Sequence, residues 1–122
     1  MAFLKTIALG GLLSLAATGA AFAHAHLKSS LPEANAVVTA APSSLTLTFT
    51  EGLELKLSGV KVTGADSKLV SIGMPALSAG DDTVMTVPLA GTLAPGVYTV
   101  DWHAVAKDTH ATHGSYTFTV KP

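Results

Sequence analysis

Leu45-Thr46-Leu47-Thr48-Phe49-Thr50 alternates large apolar side chains with threonines. Alternation with a period of two marks a β-strand that has one face in a core and the other in water. Leu45, Leu47 and Phe49 are therefore assigned to the core. A second strong signal is Pro95-Gly96, a turn that opens into a long run where Tyr98, Val100, Trp102 and Ala104 share one parity. That parity is also assigned to the core. Further short runs of strand character lie at 25–29, 59–63, 68–72, 84–88 and 115–121, and the long run covers 97–106. Pro, Gly, Asn and Asp punctuate them, and nothing sustains helical spacing between caps. About seven strands predict an all-β domain, a β-sandwich or small Greek-key barrel. The segment 71–82, with Gly73, Met74-Pro75 and Gly80-Asp81-Asp82, reads as a connecting loop, with the two aspartates on a solvated turn.

The chain before this domain has a different character. Lys5, an apolar run over 7–17 and the small-x-small triplet Ala21-Phe22-Ala23 fit a secretory signal cleaved after Ala23. A membrane anchor is disfavoured, because Gly10, Gly11 and Gly19 interrupt the run and no basic stop-transfer cluster follows. The expected division is a signal peptide over 1–23 and one exported domain over 24–122. Cleavage there would make His24 the first residue and give it an α-amine beside its imidazole.

Composition limits the chemistry open to that domain. There is no cysteine, so packing alone must hold it together and any metal must take nitrogen, oxygen or thioether donors. The formal net charge is −1, every basic residue is lysine, and no basic stripe carries interleaved aromatics. Nucleic acid is thus excluded as a natural partner. No phosphate-binding glycine loop or nucleophile-elbow motif is present, so neither nucleotide nor hydrolytic chemistry is indicated.

All five histidines fall in two segments, His24 and His26 near the start, and His103, His110 and His113 near the end. The second segment contains Asp108-Thr109-His110, whose spacing puts a carboxylate and an imidazole on one face if the chain is extended there. Together with the His24 ring and amine, they would supply three nitrogens and one anionic oxygen, a donor set suited to tetragonal Cu(II). Glu51 shares the parity of Leu45, Leu47 and Phe49 and should emerge at the end of that core-facing row. The other histidines are read differently. His103 lies opposite in parity to Trp102 and should face solvent, whereas His113 lies outside the Asp-x-His pair. His26 could form a local chelate with the amine and intervening amides, unless the fold commits those amides elsewhere.

These motifs resemble the CopC/PcoC family of periplasmic copper-binding proteins, particularly its shorter YobA-type members. The resemblance rests on His24-Ala25-His26-Leu27, Phe49-Thr50-Glu51, the run from Pro95 through Trp102, Asp108-Thr109-His110 and Gly114-Ser115-Tyr116-Thr117-Phe118. It implies an immunoglobulin-like Greek-key β-barrel or sandwich, and one Cu(II) per chain on His24, Asp108 and His110, with Glu51 an axial or supporting group. It also implies a monomeric role in copper homeostasis or resistance, without enzymatic activity, and a possible CopD-type inner-membrane transporter as partner. The methionine-rich Cu(I) loop of larger members is not matched, since only Met74 and Met85 are available after the leader, and methionine there is expected as core filling. Two other readings are a copper redox enzyme built on the N-terminal histidine and a metal-free immunoglobulin-like module.

Overall fold

The computed structural model describes residues 24–122, so the leader reading falls outside the described residues. Eight strands form in chain order: β1 (Leu27–Leu31), β2 (Val37–Val38), β3 (Ser44–Phe49), β4 (Gly59–Thr63), β5 (Ala76–Ser78), β6 (Asp81–Pro88), β7 (Gly96–Val105) and β8 (Ala111–Val120). They make two separate four-stranded sheets, ordered β1-β3-β6-β5 and β2-β8-β7-β4. The fold is a sandwich and not a closed barrel. Pairing is antiparallel except between β2 and β8.

The two alternating runs identified from sequence supply the two inner faces. Leu45, Leu47 and Phe49 are 0%, 0% and 2% exposed, and Tyr98, Val100, Trp102 and Ala104 are buried opposite them. Phe49 and Trp102 meet edge-to-face across the interior, with ring centroids 5.3 Å apart. Such a pair adds about 0.5–1.5 kcal/mol beyond the area it buries. The inward parity of β8 continues this layer through Tyr116, Phe118 and Val120. Next along it, Gly114 pairs with Trp102, and a β-carbon there would stand 2.6 Å from the indole Cζ2. A glycine is required because the ring fills the space a side chain would take.

Three expectations need correction. Residues 68–72 are not a strand, because the segment crosses between sheets. Leu69 bridges to Thr63 of β4, while Ile72 bridges to Leu89 just beyond β6, so no continuous ladder forms. The supposed loop 71–82 instead contains β5 and the start of β6. β5 is only three residues long and too short to show alternation, yet Ala76 and Leu77 pair with Thr86 and Met85. Asp81 and Asp82 begin β6, still exposed, and Asp81 accepts hydrogen bonds from the Thr83 amide and hydroxyl. Finally, Met85 is buried core, but Met74 is 84% exposed and packs nothing.

The close approach at Gly114 gives a direct test of this packing. Gly114→Ala should lower the unfolding free energy by about 1–3 kcal/mol through overpacking against Trp102. Urea denaturation followed by fluorescence of the sole tryptophan measures it. Exposed Ser115→Ala should change stability by less than about 0.5 kcal/mol.

Candidate metal centre

One end of the sandwich gathers the start of the domain, the end of β3 and the turn between β7 and β8. The N-terminal segment is pinned there by its backbone. The Thr50 amide donates to His26 O at 2.9 Å, and the Thr50 hydroxyl accepts from the His26 amide and donates to His24 O, both at 3.0 Å. From the other sheet, the Thr112 hydroxyl donates to Ala25 O at 2.5 Å. Ala25 is fully buried in the core cluster, leaving His26 exposed and His24 half-buried on either side.

The Asp-x-His pair converges, though not through an extended chain. Residues 107 and 108 form a turn, and Thr109 takes a left-handed conformation with φ 72°. For a β-branched residue this conformation is costly and is held only by surrounding contacts. Those contacts close the turn, with Thr109 N donating to Ala106 O at 2.8 Å and Ala106 N to His110 O at 3.0 Å. The reversal folds Asp108 onto His110. Its Oδ1 accepts the His110 amide at 3.1 Å, and its Oδ2 lies 3.1 Å from His110 Nδ1. The His110 amide, then the His110 ring, hold the Asp108 carboxyl below the usual carboxylate range, and the nearby His24 charge acts in the same direction. Any stability from these bonds is present above the ordinary carboxylate pKa and is lost as pH falls through the lowered folded value.

The two segments meet at the imidazoles. The rings of His24 and His110 have centroids 4.8 Å apart at 35°, and His26 stands 6.0 Å from His24. Among the described residues no three side chains form a ready-made cage, so the cluster is a partial site that needs a further donor. A metal on the carboxylate-oriented His110 ring would use Nε2, as in carboxylate–histidine–metal arrangements. In that arrangement Asp108 orients the ring from the Nδ1 side, and to ligate the same ion its carboxylate would have to leave Nδ1. Glu51 and Asp108 both line a hollow of about 170 Å³ with Gly52, Ala106 and Lys107, so Glu51 belongs to the same neighbourhood. Lys107 is turned to Glu54 and Asp82, at 3.5 and 4.0 Å.

Two residues that shape this end were not singled out from sequence. Thr50 falls on the wet parity at a strand end, a position from which a hydroxyl can reach a neighbouring backbone. Nothing in the sequence marked Thr112. His103 and His113 stand on the outward parity of β7 and β8, as their parity implied for His103.

A β-sandwich with a histidine–carboxylate cluster at one end is the architecture of a small metal-binding module. Residues 27–121 match the CopC domain, and the chain belongs to the CopC family. It is 48% identical to Protein YobA of Escherichia coli K12 over 104 residues, covering 85% of this chain and 84% of that protein. It is 42% identical to Copper resistance protein C of Escherichia coli, covering 96% of each. The crystal structure of PcoC, a methionine-rich copper resistance protein from Escherichia coli, superposes with a TM-score of 0.72 at 43% identity. That match covers 81% of this chain and 100% of PcoC. These relatives are named for copper resistance or without an activity, and none is named as an enzyme.

The order of influences on Asp108 can be checked by carboxyl-carbon NMR titration. Its midpoint should lie below the ordinary aspartate value of about 3.9. His110→Ala should recover only part of the difference, because the backbone amide remains. A full return to the ordinary value would give the larger role to the ring.

Proposed function

We propose that the exported domain is a periplasmic Cu(II)-binding protein of copper homeostasis or resistance. One ion is held by the His24 amine and ring, Asp108 and His110. The convergence of the His24 and His110 rings at 4.8 Å, with Asp108 against His110, carries the reading. Family membership supports copper as the cargo.

The partial character of the cluster follows from the chain as written. While Ala23 is attached, the His24 nitrogen is an amide and a poor donor; cleavage would turn it into the amine that completes the set. The local chelate through His26 is opposed by the Thr50 hydroxyl, which takes the His26 amide that such a chelate would need to deprotonate. Among the described residues Cu(I) has no comparable site. Met74 is exposed on one segment while Met85 is sealed in the core, so their thioethers do not converge. An anionic Asp108 ligand favours Cu(II) and opposes redox cycling, which weighs against an oxidative enzyme. Glu51 would act as an axial or supporting group. Delivery to a CopD-type inner-membrane transporter is the matching role for a monomeric carrier.

The reading is tested by extending the mature chain with one Gly before His24. All side chains remain, but the amine leaves the chelate ring, so Cu(II) affinity should fall roughly 10²-fold with the apo melting temperature unchanged. His26→Ala on the authentic terminus should leave affinity within about threefold. Undiminished binding in the extended chain would overturn the proposal, as would loss of binding in His26→Ala alone. Acid should release the ion as protons compete for its nitrogen donors.

A further inference from the structure

The outer face of the second sheet carries two histidines that the cluster at the sandwich end does not use. His103 of β7 and His113 of β8 are directly opposite in the ladder, and both are exposed. Directly opposed residues on antiparallel strands hold their β-carbons about 4.5–5.5 Å apart, close enough for two imidazoles to grip one ion. On the far side of β7, His103 faces Gly59 of β4, and its Cε1 lies 3.3 Å from where a glycine β-carbon would stand. The ring thus leans over Gly59, on the side away from β8, and meets His113 only after a rotamer change. Asp101 lies one pleat back on the same face, opposite Lys61 on one side and Ser115 on the other.

We propose that His103 and His113 form a second, weaker metal site for a divalent transition-metal ion of the imidazole-preferring class, with Cu(II) bound most strongly. Two imidazoles bind the ion, water completes its shell, and Asp101 supplies a nearby negative charge. Cu(II) leads because affinity at a given nitrogen site peaks there among first-row divalent ions. Fewer protein donors make this site weaker than the one at the sandwich end. Three positions of extended chain separate His113 from His110, a spacing of about 10 Å. The hairpin would then carry an exposed, easily exchanged ion beside the more tightly held one.

The test is a titration of the mature chain with Cu(II) alone in a non-coordinating buffer, followed by calorimetry and electron paramagnetic resonance. Two equivalents should bind, the second at least roughly tenfold more weakly. The doubly loaded protein should show dipolar broadening from the neighbouring ion. His103→Gln and His113→Gln should each remove the second equivalent, leaving the first and the melting temperature unchanged. In the Gly-extended chain, the histidine pair should still take one equivalent, so failure at one site is distinguishable from failure at the other. A second equivalent that survives in the His103→Gln, His113→Gln double variant would overturn the assignment. So would saturation at a single equivalent in the authentic chain.

Discussion

The fixed position of Ala25 is the constraint on which the candidate metal centre depends. Its methyl group has no exposed surface, and its carbonyl is held by Thr112 of the opposite sheet. Thr50 grips the backbone on either side of it. A domain's first residues are ordinarily free to fray, because few contacts restrain them. Here a buried side chain and hydrogen bonds from both sheets stitch them to the sandwich. His24 is thereby held beside His110, with ring centroids 4.8 Å apart, so little ordering would be left to oppose the binding proposed there.

The second half of the candidate centre is made by a turn under strain. Thr109 adopts a left-handed conformation that a β-branched residue seldom takes, and Asp108 closes on both the amide and the ring of His110. The carboxylate therefore orients the imidazole and sets its own charge through the same contacts. The long β7–β8 ladder behind this turn holds it to the core, with Trp102 against Gly114 and Phe49 closing the interior from the opposite sheet.

Much of this was legible in the chain. The parities of Leu45–Phe49 and Tyr98–Ala104 placed both inner faces, because each run is long enough for period-two alternation to show. The crossing segment 68–72 has the composition of a strand, but its pairing is divided between two sheets, which composition does not reveal. β2 and β5 are too short for alternation to register. At the candidate centre, the residue types of His24, Asp108 and His110 were readable and their convergence was anticipated, but by the wrong geometry. A positive φ at threonine has no signature in residue type. The roles of Thr50 and Thr112 depend on which strands become neighbours, and local sequence does not contain that information.

The Cu(II) coordination proposed at the sandwich end rests on one residue supplying two nitrogens, and that can be measured directly. The mature chain would be assembled with ¹⁵N in His24 alone, loaded with one equivalent of Cu(II) and studied by pulsed electron paramagnetic resonance. Two strongly coupled ¹⁵N nuclei, one amine and one ring nitrogen, are expected beside an unlabelled imidazole from His110. A single strongly coupled ¹⁵N, or none, would contradict the chelate.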